Sequence, residues 1–91
     1  MLKINQDDHS FFIGDADQRD AEITFVSKDD ELIMIDHTFV SEKLRGGQIA
    51  GKLVEAVVNY ARENNLKITA SCSYAKRKLE RSEEYKDVYV G

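Results

Sequence analysis

The spacing of apolar residues changes along the chain, and those changes divide it into elements. Ala21, Ile23 and Phe25 alternate with Glu22, Thr24 and Val26, the period-two signature of a strand with one buried face. Before it, Phe11–Ile13 predicts a short strand, and Gly14-Asp15 with Asp17 to Asp20 predicts the turn that joins the two in a hairpin. Residues 1 to 10, rich in Asn, Gln and Asp, read as a poorly tied terminus. Ser27 to Glu31 predicts the next turn. Leu32 to Val40 is the most hydrophobic segment and is expected near the middle of the sheet. Period two places Ile33, Ile35, His37 and Phe39 on one of its faces and Leu32, Met34, Asp36, Thr38 and Val40 on the other.

The period then lengthens. Ile49, Leu53, Val57 and Ala61 recur every four residues, with Ala50, Val54, Val58 and Tyr60 widening the stripe and Lys52, Glu55, Asn59, Arg62 and Glu63 opposite. This predicts a long helix with one packed face, ending at Asn64-Asn65, where asparagine tolerates left-handed geometry. Leu66 to Ser71 predicts a fourth strand, parallel to the third because a helix separates them, with a right-handed crossover. Ser71 or Ser73 is placed to cap a short second helix, Tyr74 to Arg81, and V-Y-V near the end is a short strand or an extended tail. The order implies an α/β (α+β) fold: a small mixed four-stranded sheet, a long helix crossing between its two parallel strands, and a second short helix.

Composition narrows the function classes. Ninety-one residues with 42% hydrophobic and 33% charged side chains fit a single globular domain with a modest core. A net charge of −4 disfavours nucleic acid as a partner. No apolar run approaches the roughly 20 residues of a membrane span, and the polar N-terminus is unlike a signal peptide. The lone cysteine, Cys72, fits a reducing compartment, so a cytoplasmic location is expected. His9, Asp36, His37 and Cys72 lack any paired-ligand spacing, and no metal site is expected.

The candidate chemistry gathers at one end of the sheet. Gly46, Gly47 and Gly51 crowd the start of the long helix, where free N–H groups, a partial positive charge and bare backbone suit phosphate. Taken alone this turn is equally a conformational device, and it matches neither common phosphate-loop pattern. In an open sheet, ligands bind beyond the carboxyl ends of parallel strands. His37, the glycine turn and Cys72 all fall there. Cys72 precedes a helix carrying Lys76, Arg77, Lys78 and Arg81, a setting that favours a thiolate; the plain alternative is a buried small hydrophobe. His37 is a general base or an ordinary strand histidine held by Asp36 or a carbonyl. The basic run is a solvated helix face or a phosphate contact through Lys76 or Arg77.

Arg45-Gly46-Gly47-Gln48-Ile49-Ala50 resembles the pyrophosphate-binding turn of the GCN5-related N-acetyltransferases, [QR]-x-x-G-x-[GA], with Arg45 and Ala50 in place and Gln48 where that family has glycine. With I-D-H-T-F-V, Ile35 to Val40, before the turn and I-T-A-S-C-S-Y, Ile68 to Tyr74, after the helix, the chain resembles the minimal single-domain members from about residue 20 onward. That resemblance implies acetyl-CoA as cosubstrate, an amine acceptor, and Cys72 with His37 as the catalytic pair. It also implies a cofactor site built from Arg45, Gly46, Gly47, Gln48, Ile49, Ala50, Gly51 and Lys52, with Phe39 and Val40 aligning the pantetheine arm and Lys76 reaching a phosphate. Cys72 then either accepts the acetyl group or protonates the departing CoA thiolate. A CoA-binding module or sensor without turnover is the alternative, suggested by the chain's brevity, and an interaction domain that has lost the ligand is a third reading. The chain is expected to be a monomer or weak dimer.

Overall fold

Why the strands form is clearest at their buried faces. In this computed structural model, which describes residues 3–46 and 48–91, Ala21, Ile23 and Phe25 are buried along β3 (Arg19–Asp29), as their alternation requires. β3 pairs antiparallel with β2 (Ser10–Gly14) on one side and with β4 (Leu32–Val40) on the other. β4 pairs parallel with β5 (Lys67–Ala70). The turn after β3 is tighter than expected. The strand continues to Asp29, whose Oδ1 accepts the Glu31 N–H at 2.7 Å and closes the reversal over Asp30-Glu31.

Among the described residues the sheet has five strands where four were expected. Asn5–Gln6, here β1, pairs antiparallel with β2, Asn5 opposite Phe12 and Gln6 opposite Phe11, and the strand order is β1-β2-β3-β4-β5. A polar two-residue strand has no hydrophobic signature because it is defined by its partner's free edge, and polarity suits the rim of a sheet.

A second correction bears on function. Thr24 pairs with His37 but Phe25 pairs with Ile35, so Asp36 is an extra residue in β4, a bulge. The Thr24 hydroxyl donates to Asp36 Oδ1 at 2.5 Å. Beyond the bulge the alternation changes phase. Ile33 and Ile35 point to the core as expected, but Thr38, opposite Ile23, joins them in place of His37 and Phe39. His37, opposite Thr24, and Phe39, opposite Glu22, turn to the outer face of the sheet.

The inner face is covered by α1 (Ile49–Glu63), which buries Ile49, Leu53, Val54, Val57, Val58 and Ala61 in one cluster with Phe11, Ile13, Ile23, Phe25, Ile35 and Ile68. Tyr60 completes the stripe, its ring centroid 5.4 Å from Phe25 and 6.0 Å from Phe11. The helix stops at Asn64, and Asn65 takes the left-handed conformation at φ 57°. α2 (Ser73–Arg81) adds Ala75 and Leu79 to the same core, and Tyr85 and Val88 follow from the C-terminal segment. The V-Y-V segment lies against β5. Tyr89 bridges Ile68, the Ile68 N–H bonds to Val88 O, and the Val90 N–H to Ile68 O. Arg62 of α1 clamps this segment through both Asp87 carboxylate oxygens at 2.8 and 2.9 Å and Glu84 O at 2.6 Å. Among the described residues no helix is long and apolar enough to cross a membrane.

Candidate functional site

The site begins where β4 and β5 part. Their pairing ends at Ile35 and Ala70, and the N–H groups of Ser71 and Cys72 both turn back to Ile35 O, at 2.9 and 3.3 Å. The chain then enters α2, so β4 continues through Asp36–Val40 without a strand on that side, among the described residues. The bulge and the early end of β5 together open a wedge between the last residues of β4 and the first turn of α2.

Cys72 occupies that wedge. It is the N-cap residue of α2, in place of the expected Ser71 or Ser73, and it is half-buried. Its thiol donates to Thr38 Oγ1 at 3.5 Å, a contact possible only because the bulge turns Thr38 inward. Burial pushes the Cys72 thiol up, but the Ala75 N–H, the Thr38 hydroxyl, and the N–H groups of Tyr74 and Thr38 outweigh it and hold the pKa below the ordinary thiol value. The thiol closes no capping hydrogen bond, so the helix N–H groups act on it as dipoles. Because a lowered pKa places the thiolate at lower pH, Thr38→Val should slow alkylation of Cys72 near neutral pH, by roughly three- to tenfold if one charge-assisted hydrogen bond is lost. Rates of iodoacetamide labelling against pH check this, and an unchanged profile would remove Thr38 from the thiol's environment.

The turn before α1 forms the second part. Gly46 takes φ 90°, a left-handed conformation that glycine adopts without strain. Gln48 caps α1 at φ 59°, also left-handed, so the position where the resembled pattern has glycine keeps a glycine-like backbone despite its side chain. Among the described residues no side chain caps the helix, and the Lys52 N–H closes a helical bond to Gln48 O at 3.2 Å. The N–H groups of Ile49 and Ala50 lie in the first turn, where a helix leaves its donors without intrahelical partners. Beside them is a cavity of about 160 Å³ lined by Val40, Leu44, Arg45, Gly46, Gln48, Ile49, Ala50, Gly51 and Tyr74, with no carboxylate among them. Arg45 is held at the lip by its Nε–H, which donates to Val40 O at 3.3 Å.

The candidate residues divide accordingly. Val40, Arg45, Gly46, Gln48, Ile49, Ala50 and Gly51 share the cavity; Lys52 lies on the exposed side of α1 and Phe39 faces outward, 41% exposed. Gly47 lies outside the described residues. Lys76 is exposed, and neither it nor Lys78 lines the cavity; Lys78 approaches α1 nearby, its Nζ 3.5 Å from where a Cβ on Gly51 would lie. Tyr74, not singled out by the sequence, lines the cavity beside it, its hydroxyl 3.9 Å from that same point. Burial and the Cys72 charge push the Tyr74 phenol up. The missed signal was spacing. Ala75 and Leu79 mark the buried stripe of α2, and Tyr74 and Lys78, also four apart, flank it on the side toward α1.

His37 and Cys72 share an end of the sheet but not a face. Cys72 touches Thr38, whereas His37 stands on the outer surface, its side chain 56% exposed, with Nε2 3.6 Å from Glu22 Oε2. The alternation of adjacent residues along β4 separates the two side chains.

A family model described as GCN5-related N-acetyltransferase matches residues 10–88. The solution structure of a GCN5-like protein from Staphylococcus aureus is 53% identical, with a TM-score of 0.84 over 99% of this chain and 89% of that one. A GNAT family acetyltransferase from Elizabethkingia anophelis with acetyl-CoA bound shares the fold at 18% identity, TM-score 0.60, covering 79% of this chain and 50% of that chain. Ard1 from Thermoplasma volcanium does so at 17% identity, TM-score 0.58, covering 68% and 43%. No curated protein sequence matches the chain. With most of its length matched by the family model and a full-length likeness at 53% identity, the chain belongs to the GCN5-related N-acetyltransferase family.

Proposed function

We propose that this chain is a one-domain acetyl-CoA-dependent N-acetyltransferase that carries the acetyl group on Cys72 before passing it to an amine. The observation that carries this reading is the place of the Cys72 thiol, at the start of α2, 3.5 Å from Thr38 Oγ1 and beside the unpaired edge of β4. The residues fit the cosubstrate. Arg45 and the N–H groups at the start of α1, in a cavity lining without carboxylates and with Lys78 Nζ close to Gly51, suit the pyrophosphate and 3′-phosphate of CoA. The backbone of β4 from Thr38 to Val40 offers the free edge that would receive the pantetheine amides. Bound acetyl-CoA supplies an acetyl thioester.

The helix dipoles and the Thr38 hydroxyl hold the Cys72 pKa below the ordinary thiol value, which raises the fraction present as the nucleophilic thiolate. Its sulfur bonds to the acetyl carbon as CoA leaves as a thiolate. An amine acceptor then takes the acetyl group, the Cys72 thiolate is released, and the ammonium proton reaches the exposed His37 through solvent, since the two side chains lie on opposite faces of the sheet. A second reading, a CoA-binding module without significant turnover, is favoured by one observation: His37 and Cys72 do not face each other.

The test is intact mass after incubation with acetyl-CoA, followed by addition of small amines and lysine peptides. One acetyl group on Cys72 that transfers to an amine supports the transferase. An acetyl group that stays, or binding without acetylation or turnover, favours the module. Turnover without acetyl-Cys72 would move the chemistry to direct transfer.

A further inference from the structure

On the outer face of the sheet, away from the cavity before α1, one arginine has four of its five N–H donors engaged. Arg19 Nε–H donates to Ala16 O at 3.2 Å, Nη2 to Asp7 Oδ2 at 2.7 Å, and Nη1 both to Ser10 Oγ at 2.8 Å and to Glu22 Oε1 at 3.2 Å. Its guanidinium lies over the Phe12 ring, 4.1 Å from the centroid. Asp7 is fixed in turn by the Ser10 hydroxyl at 2.7 Å and the His9 N–H at 2.9 Å. An isolated exposed ion pair holds little in place, but a planar fork with four of its five N–H donors engaged over an aromatic ring is a rigid clamp.

What the clamp holds is Glu22. One carboxylate oxygen is bound to Arg19, and the other, Oε2, is directed at His37 Nε2, 3.6 Å away. Glu22 and His37 are diagonal neighbours across β3 and β4, since Glu22 is opposite Phe39 and His37 opposite Thr24. They share a face only because the bulge at Asp36 turns His37 outward. We infer that Arg19 and Glu22 are positioning residues for His37: the clamped carboxylate, 3.6 Å from Nε2, favours the proton on that nitrogen and leaves Nδ1 without one in the neutral ring. The inference rests on the proposed role of His37, and its test separates the two.

The tautomer of His37 is read from the ¹⁵N shifts of its ring in the full-length protein, in wild type, Glu22→Gln and Glu22→Asp. Glu22→Gln keeps an oxygen for Arg19 but presents an NH2 donor to Nε2. Its neutral imidazole should shift toward the Nδ1–H form, with kcat for acetyl transfer falling by about tenfold, a fraction of what general-base catalysis supplies, and KM for acetyl-CoA unchanged. Glu22→Asp, which keeps the charge, should retain the Nε2–H form. An identical tautomer in wild type and Glu22→Gln would overturn the positioning role, as would a kcat untouched by Glu22→Gln in an enzyme that His37→Ala disables. If His37→Ala leaves transfer intact, the base role fails instead, and the ring shifts alone decide whether Glu22 orients the histidine.

Discussion

Cys72→Ala should lower acetyl transfer to amines by about a hundredfold or more, the scale expected when an activated nucleophile and its proton chemistry are removed together. The effect should fall on kcat, with binding of acetyl-CoA retained, because the cavity before α1 contains no part of Cys72. Fold loss does not confound the comparison, since Cys72 is half-buried and its only side-chain hydrogen bond among the described residues is to Thr38. Initial rates over a range of acetyl-CoA concentrations check this. A variant within about threefold of wild type would place the thiol outside the reaction, because even a modest acid–base role supplies more than that.

Leu53→Ala should be the most damaging single change to stability outside the site. Leu53 is 0% exposed, in the middle of the α1 stripe and within the one core cluster shared by the sheet and both helices. Removing its branched side chain costs about 2–5 kcal/mol through lost burial and the cavity left behind. A chain of 91 residues sits toward the low end of the roughly 5–15 kcal/mol available to folded domains. A fall in Tm of roughly 10 °C or more is therefore expected by thermal unfolding. A shift of only about 2 °C would mean that this helix is not packed as described.

The helical stripe from Ile49 to Ala61 was fully legible, because a long amphipathic period is carried by many residues and only one face can be buried. The parallel pairing of β4 with β5 followed from the helix between them. The bulge did not. Nothing in I-D-H-T-F-V signals an extra residue at Asp36, since the irregularity arises from pairing with β3, and a single insertion exchanges the faces of every later side chain. That is why His37 was grouped with Ile35 and Thr38 went unnoticed. β1 was hidden for a related reason: Asn5 and Gln6 are ordered by the edge of β2 rather than by their own character. In the site, the glycine turn announces itself by composition, whereas a run of basic residues does not say that Lys78 is the one whose Nζ approaches Gly51 of α1. The positions of Ala75 and Leu79 do.

The central claim, that the turn before α1 and the free edge of β4 form one cosubstrate site leading to Cys72, is tested most directly by titrating acetyl-CoA into ¹⁵N-labelled protein and following backbone amides. Expected are saturable shifts at Ile49–Lys52, at Thr38–Val40 and at Cys72–Ala75, with the N-terminal hairpin around Phe12 unmoved. Absence of any shift at millimolar acetyl-CoA, or shifts confined to the outer face around Glu22 and His37, would contradict it.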